Sequence, residues 1–318
     1  MRLITHLQAG EARLGAVAGE TVIDLNRATA ARLRAAGVVH AQLAADVAVP
    51  ADALSFLQAG EPAITSARES IAFAESLPAA EAATGLLTTP YSYTKLLCPV
   101  PNPGKVICVA RNYAEHAREA GLQISEIPIL FVRFASTLVA PGDPIIRPTV
   151  SEELDWEGEL AVVIGQATSG TVAKADAYGY VAGYSIFNDV SVRDFQFRVT
   201  QYTAGKNFRA SGPFGPELVL TDEVPDPGVL DISTKVNDTV MQSANTSDMI
   251  FDVATIIEHV TEFIDLEPGD VIAMGTPSGV GFKREPPVFL RPGDTCTVTI
   301  EKLGSLSNPV VAEEEWRA

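Results

Sequence analysis

Cysteine is scarce in this sequence, with 3 cysteines among 318 residues. Cys98, Cys108 and Cys296 are far apart, and none of them belongs to a Cys-x-x-Cys pair. This spacing excludes a zinc site built from cysteine clusters. An odd number of cysteines, each in an apolar stretch, indicates reduced thiols in the core of a cytoplasmic protein.

Long apolar runs and an excess of basic residues are also missing. No apolar stretch approaches the ~20 residues that a membrane helix needs, and residues 1–6 contain no signal-peptide core. Lys plus Arg number 23 against 40 Asp plus Glu, which gives a formal net charge of -17. Because such a surface repels polyanions, the composition argues against nucleic acids and anionic membranes as partners.

The remaining composition, 47% hydrophobic and 20% charged, is that of a globular protein, and the length suggests about two domains. Residues 1–95 begin with β-type segments and become Ala-rich and helical, which predicts a small α+β domain. Four prolines between residues 88 and 105 break regular structure and indicate a domain boundary. Residues 96–318 are mostly β, with one longer helix predicted over Met249–Leu266.

Two glutamates flank a glycine where an apolar run begins. Gly158 separates Glu157 from Glu159, and the strand-like run Leu160–Ile164 follows. Because side chains alternate along a strand, the two carboxylates face the same side, about 6.7 Å apart along its axis. Like charges in this arrangement repel each other unless a cation lies between them. The pair indicates oxygen ligands for Mg²⁺ or a similar ion, or alternatively an exposed acidic strand face.

Asp189 follows another apolar stretch, Tyr178–Phe187, at the position of a strand end. A third carboxylate there would complete a trianionic site. A divalent cation largely neutralises such a site and keeps positions open for water or substrate. An ordinary Asn-Asp turn formed with Asn188 is the alternative.

A histidine and a lysine are further candidates for catalysis. His116 and Glu119 are three residues apart in the segment Asn112–Ala120, which is predicted to be helical, so they meet on one face. A carboxylate beside an imidazole raises its basicity, as a general base for water requires, although an exposed surface pair has the same spacing. Lys206 lies among glycine, aromatic and proline residues, where it either stabilises an oxyanion in a pocket or is solvated.

A glycine-rich segment, Met274–Gly281, follows an apolar strand. Its backbone N–H groups can bind an anion such as a carboxylate, because glycine permits close approach. The segment lacks the Gly-Lys-Ser/Thr of a phosphate-binding loop and the glycine spacing of a dinucleotide fingerprint. A plain hairpin loop is the alternative.

From Lys105 to Val311, the order of these segments and their residues resemble the fumarylacetoacetate hydrolase superfamily. The resemblance implies a mainly β, α+β fold, namely a mixed β-sandwich roll of the family's C-terminal-domain type, preceded by the smaller α+β domain. It also implies a homodimer that acts on a small-molecule keto acid. The matching segments are Val109–His116, Asp155–Gly165, Asn188–Asp194, Gly212–Pro216 and Met274–Gly281.

The resemblance implies a metal site and a base. Glu157, Glu159 and Asp189 match the family's ligands for Mg²⁺ or Mn²⁺, with Ca²⁺ as a further alternative. His116 and Glu119 match its water-activating dyad, which is carried on a short helix that acts as a mobile lid.

The same resemblance implies a substrate site. Lys206 matches the family's active-site lysine. Arg209 stands where the family often has Asp, and we expect it near the pocket wall. The residues that match polar groups in or beside the substrate site are Gln196, Arg193, Thr276 and Gly275.

The implied activity is metal-dependent hydrolysis of a carbon–carbon bond in a 2,4-dioxo acid of the acylpyruvate type. The pair of His116 and Glu119 favours this reaction, because hydrolysis needs an activated water. Decarboxylation of oxaloacetate or isomerisation of a hydroxydienoate at the same metal–enolate site is the alternative. A metabolite-binding protein without catalysis is a third hypothesis, against which a complete dyad argues.

Overall fold

The computed structural model describes residues 1–119 and 125–317, and for residues 116, 117, 119 and 317 it describes the backbone alone. Within these ranges the helices are α1 (Leu25–Ala35), α2 (Ala41–Ala48), α3 (Ala53–Ser76), α4 (Ala79–Thr84), α5 (Ala114–Glu119), α6 (Arg193–Gln196), α7 (Thr203–Lys206), α8 (Val253–Thr261) and α9 (Glu313–Arg317). Short 3₁₀ helices lie at Tyr91–Tyr93, Ala135–Thr137, Lys174–Tyr180, Pro227–Val229, Thr246–Asp248 and Gly281–Lys283.

The strands lie before α1 and after α4. They are β1 (Arg2–Gln8), β2 (Glu11–Ala18), β3 (Thr21–Asp24), β4 (Thr88–Pro90), β5 (Lys95–Leu96), β6 (Val106–Ala110), β7 (Ile129–Arg133), β8 (Leu138–Val139), β9 (Ile145–Arg147), β10 (Leu154–Asp155), β11 (Gly158–Ile164), β12 (Val181–Asn188), β13 (Ser191–Val192), β14 (Gly212–Leu220), β15 (Asp231–Val236), β16 (Thr239–Asn245), β17 (Val271–Ala273), β18 (Thr295–Ile300) and β19 (Gly304–Ala312).

Two sheets share a core, which confirms the mixed β-sandwich roll expected from the sequence. The large sheet has 12 strands in the order β4-β3-β2-β1-β14-β12-β11-β17-β6-β7, with β5 paired to β1 and β8 paired to β14. The small sheet has 5 strands in the order β16-β15-β18-β19-β9. A separate two-stranded ribbon joins β10 to β13.

Strand β11 is buried on both faces, which explains its uninterrupted apolar run. Leu160, Val162 and Ile164 belong to a core that also contains residues of the small sheet and α8. Ala161 and Val163 belong to a second core, on the side of α3. The strand that follows the two candidate glutamates is therefore held by packing from both sides.

The N-terminal strands continue the large sheet. Strand β1 pairs antiparallel with β14, and Arg2 and Leu3 lie opposite Val219 and Leu218. The segment between residues 25 and 84 is helical, as its composition predicts, and α3 is broken at Gly60, where φ is 66°. The boundary between residues 95 and 96 stays a prediction.

Two helices are shorter than the sequence pattern predicts. The helix predicted over Met249–Leu266 is α8, which begins only after Asp252, whose side chain accepts a hydrogen bond from the Thr255 N–H at 2.8 Å. The N–H groups of residues 250 and 251 bond instead to the backbone and side-chain oxygens of Asn112. The same contacts keep Asn112 out of α5. Hydrogen bonds between distant residues therefore set the start of α5 and the start of α8.

The described residues include no helix that is both long and apolar enough to cross a membrane. Cys98, Cys108 and Cys296 are free and buried, as predicted. Burial raises the pKa of Cys98 and of Cys296 to about 12, so these thiols stay protonated at neutral pH.

Candidate active site

The pairing of β11 with β12 brings three carboxylates together. Gly158 lies opposite Asn188 in this antiparallel pair, so Glu157 and Glu159 flank Gly158 beside Asp189, which follows Asn188. One carboxylate oxygen from each acid lies within 4.8 Å of the other two. The residues expose only 6%, 2% and 0% of their surface, which overturns the alternative of an exposed acidic strand face. Their role as metal ligands stays a prediction.

Lys206 is buried against two of these carboxylates, so a solvated lysine is the wrong alternative. Its Nζ donates to Glu157 Oε2 at 2.8 Å and to Asp189 Oδ2 at 2.5 Å. Burial alone would lower the pKa of Lys206, but Asp189 and Glu157 raise it above its ordinary value. The bare backbone of Gly205 permits this placement, because a Cβ there would lie 2.4 Å from the Cβ of Gln196.

Two arginines complete the charge network. Arg133, at the end of β7, donates from Nη1 to Asp189 Oδ1 at 2.5 Å, and its side chain is fully buried. Arg193 donates from Nε to Asp155 Oδ2 at 2.8 Å and pairs through Nη1 with Glu157 Oε1 at 2.6 Å. The sequence patterns predict no role for Arg133. Its sequence signal is a lone charge that closes an apolar strand.

Glu159 is the acid of the triad that forms no ion pair among the described residues. It accepts a hydrogen bond from the Gly275 N–H at 2.8 Å. Burial, followed by repulsion from Asp189 and Glu157, raises the pKa of Glu159 well above its ordinary value. Ionisation of Glu159 would therefore add a buried negative charge that no cation among the described residues pairs with.

This donor set fits a divalent cation. Three buried carboxylates supply hard oxygen donors, which Mg²⁺, Mn²⁺ and Ca²⁺ prefer over nitrogen or sulfur. A dication would also relieve the repulsion from Asp189 and Glu157 that, after burial, raises the pKa of Glu159. The residues that would hold the ion are Glu157, Glu159 and Asp189.

The glycine-rich segment after β17 binds carboxylates of the protein itself. The Gly275 N–H is occupied by Glu159, so its backbone does not contact substrate as a free donor. The N–H groups of Gly281 and Phe282 donate to Asp155 Oδ1 and Oδ2 at 2.7 and 3.1 Å. These hydrogen bonds fix Glu159 and Asp155, whereas the binding of a substrate carboxylate by this loop stays a prediction.

Gln242 of β16 connects the small sheet to the site, and no sequence pattern marks it as a site residue. Its Oε1 accepts from the Gly158 N–H at 3.0 Å, and its Nε2 donates to Thr276 Oγ1 at 2.8 Å. Thr276 in turn donates to the Gly158 carbonyl at 2.9 Å. The Thr276 hydroxyl proton is thus committed, so Thr276 can meet a substrate only as an acceptor.

Substitution of Gly158 by alanine is expected to damage the site. A Cβ on Gly158 would lie 2.3 Å from Thr234 Oγ1 and 2.9 Å from Val298 Cγ1, so β11 must move away from the small sheet. We expect Gly158→Ala to lower the free energy of unfolding by about 1–3 kcal/mol and the affinity for Mg²⁺ by about 10- to 100-fold. Chemical denaturation and metal titration measure the two effects.

Gly179→Ala is the matched control, because a Cβ there would meet no atom within 4 Å. Wild-type stability and metal affinity in Gly158→Ala would contradict the close packing that places the two glutamates.

A cavity of about 60 Å³ opens beside the triad. Its small size favours a small acid as the ligand. Three residues of the predicted substrate site line it, whereas Gly275 is not among the lining residues. The lining consists of Val109, Ala110, Arg111, Phe131, Glu157, Glu159, Arg193, Gln196, Phe197, Tyr202, Lys206, Thr276 and Phe282.

Two predicted positions lie elsewhere. Arg209 is exposed and lines a different surface cavity, where it lies 3.7 Å from Glu313, so the expectation that it borders the substrate pocket is wrong. The backbone of His116 and Glu119 forms part of α5 as predicted. Their side chains lie outside the described residues, so the dyad stays a prediction.

The chain is similar to known proteins in sequence and in structure. Residues 105–311 match the family model described as fumarylacetoacetate (FAA) hydrolase C-terminal. The oxaloacetate tautomerase Fahd2a, mitochondrial, of Rattus norvegicus is 41% identical over 317 residues, which cover 98% of this chain and 92% of the relative.

Two solved structures also resemble this one over nearly its whole length. Fumarylacetoacetate hydrolase from psychrophilic Exiguobacterium antarcticum has a TM-score of 0.75 and 32% identity, and covers 98% of this chain and 100% of its own. Maleylpyruvate hydrolase from Sphingobium sp. SYK-6 has a TM-score of 0.72 and 31% identity, with the same coverage of 98% and 100%. The chain belongs to the fumarylacetoacetate hydrolase family.

Proposed function

We propose that this chain interconverts the enol and keto forms of oxaloacetate, or of a closely related 2-oxo dicarboxylate, with a divalent metal ion. The observation that carries the proposal is 41% identity to an oxaloacetate tautomerase over 98% of the chain, together with a buried triad suited to a metal ion. The sequence favoured cleavage of an acylpyruvate. The reaction proposed here instead resembles the alternative, which is oxaloacetate or isomerase chemistry at the same enolate site.

A divalent cation held by Glu157, Glu159 and Asp189 would act as a Lewis acid on the 2-oxo group. The chain itself supplies donors around that group. The Lys206 ammonium can hold negative charge as it develops on the enolate oxygen. The Gln196 Oε1 accepts from Arg193 Nη1 at 2.8 Å, which leaves its NH₂ group as a donor on the cavity wall.

Tautomerisation requires one proton to leave the enol oxygen and one to reach the neighbouring carbon. We assign this transfer to His116, oriented by Glu119, on the strength of their spacing in the sequence. The aromatic rings of Phe131 and Phe282 line the cavity and limit the access of bulk water. No water takes part in the reaction, and no carbon–carbon bond breaks.

Removal of the assigned base is expected to slow the reaction without removing the metal. A positioned general base contributes roughly 10²–10⁴-fold, so His116→Ala should lower the rate of tautomerisation by about that factor. Metal affinity, measured by titration, should stay close to wild type. Full activity in His116→Ala would exclude His116 as the proton carrier, and His40→Ala, in the exposed turn before α2, is the matched control.

An assay of three reactions tests the proposal. The protein, loaded with Mg²⁺ or Mn²⁺, is given freshly dissolved enol-oxaloacetate, keto-oxaloacetate and an acylpyruvate, and each reaction is compared with metal alone. We expect loss of the enol absorbance to be the fastest reaction and to stop on addition of a chelator. Acylpyruvate cleavage without tautomerisation would overturn the proposal.

Hydrolysis is the second candidate, and two observations favour it. Maleylpyruvate hydrolase shares the fold at 31% identity, and the sequence carries His116 and Glu119 at the spacing of a water-activating pair. In that case the same assay would give acylpyruvate cleavage as the fastest reaction, and His116→Ala would abolish the cleavage.

A further inference from the structure

Arg111 differs from the other cationic residues that line the substrate cavity. Lys206 and Arg193 are both engaged by buried carboxylates. Arg111 donates from Nη2 to the Tyr202 hydroxyl at 2.7 Å and forms no ion pair among the described residues. An arginine that lines this cavity without a carboxylate partner among the described residues is a candidate for binding an anionic ligand.

The backbone of Arg111 is held in an unusual conformation. Its φ is 59°, in the left-handed region that residues with a side chain rarely adopt. Strain of this kind persists only where the surroundings determine it, and it occurs often at ligand sites. Here β6 ends at Ala110, and the side chain of Asn112 is fixed by hydrogen bonds to the carbonyls of Phe251 and Met274 at 2.9 and 2.8 Å.

Tyr202 restricts the arginine further. Its ring meets Phe131 edge-on, with the ring centres 5.7 Å apart, and both aromatic residues line the cavity. The hydrogen bond to Tyr202 occupies one N–H of the guanidinium and leaves other donors of the planar fork. A fork with parallel N–H donors matches the two oxygens of a carboxylate.

We propose that Arg111, oriented by Tyr202, binds the second carboxylate of a dicarboxylic substrate. This inference rests on the proposed function. It specifies that the protein prefers four-carbon 2-oxo dicarboxylates to 2-oxo acids with a single carboxylate. The carboxylate and 2-oxo group at one end of such an acid are directed to the metal triad. Without Arg111, the carboxylate at the other end would have no cationic partner in the cavity, because Lys206 is assigned to the enolate oxygen and Arg193 pairs with Asp155 and Glu157.

Malate and lactate provide a matched pair of probes. Both carry a 2-hydroxy acid head, and malate differs by the added carboxylate. Isothermal titration of the Mg²⁺-loaded protein with each compound measures recognition of that carboxylate without turnover. We expect the wild-type protein to bind malate at least about 10-fold more tightly than lactate, because one charge-assisted hydrogen bond contributes about that factor to the affinity.

Arg111→Met should reduce this preference to less than about 3-fold and leave the affinity for lactate unchanged. Arg209→Met is the control, because Arg209 is exposed at a different cavity, and it should keep the wild-type preference. Arg111→Lys keeps the charge and loses the fork, so we expect an intermediate preference. This variant also serves if Arg111→Met does not fold. An unchanged preference in both Arg111 variants would overturn the proposal, as would a wild-type protein that binds malate and lactate equally.

The two proposals fail in different ways. If the wild-type protein prefers malate but does not tautomerise oxaloacetate, the proposed reaction is wrong and the carboxylate site stands. If it tautomerises oxaloacetate and Arg111→Met keeps the wild-type KM for that substrate, the reaction stands and the assignment of Arg111 is wrong. We expect Arg111→Met to raise KM about 10- to 100-fold with kcat changed by less than about 3-fold.

Discussion

Asp189→Asn is expected to lower the free energy of unfolding of the metal-free protein by about 3–5 kcal/mol. The Asp189 carboxylate is fully buried and compensates two cations, Arg133 and Lys206, whose side chains are 0% and 2% exposed. The substitution leaves their positive charge in the interior without this partner. An asparagine oxygen can accept a hydrogen bond but supplies no charge.

Chemical denaturation in the presence of a chelator measures this loss of stability. We also expect the variant to lose high-affinity metal binding together with activity. Mg²⁺ titration of the folded variant measures the metal binding. Asp238→Asn, in the exposed turn between β15 and β16, is the control for loss of one aspartate. An Asp189→Asn protein of wild-type stability would show that the two cations do not depend on this carboxylate.

Glu159→Gln is expected to have the opposite effect on stability and an equally large effect on activity. Glu159 forms no ion pair among the described residues, and burial and its acidic neighbours raise its pKa. A neutral isostere removes this repulsion, so the metal-free variant should be at least as stable as the wild type at neutral pH. Loss of one oxygen ligand should lower turnover on the order of 10³-fold, since a metal ion contributes several kcal/mol to charge stabilisation.

The pH dependence of stability gives a further readout of the same substitution. A carboxyl whose pKa is raised in the folded state binds its proton more tightly there than in the unfolded chain. Its contribution to stability is therefore present below its ordinary pKa of 4.5 and is lost as the pH rises through the folded pKa. Melting of the metal-free protein should show this loss in the wild type, and Glu159→Gln should lack it.

Glu20→Gln, on the exposed turn between β2 and β3, controls for the loss of one glutamate. The prediction is refuted if Glu159→Gln retains stoichiometric Mg²⁺ or wild-type turnover.

Local sequence patterns predict the part of the site that depends on one strand. The alternation of Glu157 and Glu159 about Gly158 places both carboxylates on one side, and the apolar run after them identifies a buried strand. Asp189 is recognisable because it ends the next apolar run. These inferences succeed because strand periodicity acts over a few residues.

The remaining parts of the site depend on contacts between distant segments. Burial of Lys206 requires the backbone of Gly205 to pack against Gln196, and Arg133 reaches Asp189 across 56 residues of sequence. The start of α8 depends on hydrogen bonds to Asn112. Propensity and periodicity carry no information about such pairings, so the sequence alone leaves a solvated lysine and an overlong helix as reasonable expectations.

The register between β11 and β12 restricts where this chain can change in length. The two strands pair in continuous register from Gly158 opposite Asn188 to Val163 opposite Gly183, the register shifts before Ile164 opposite Val181, and residues 165–180 connect the strands. An inserted or deleted residue in the connection leaves the pairing intact. One inserted residue inside either strand turns every following side chain to the opposite face of the sheet. Homologues and engineered variants can therefore differ in the length of this connection, whereas the residue count within the two strands must be kept.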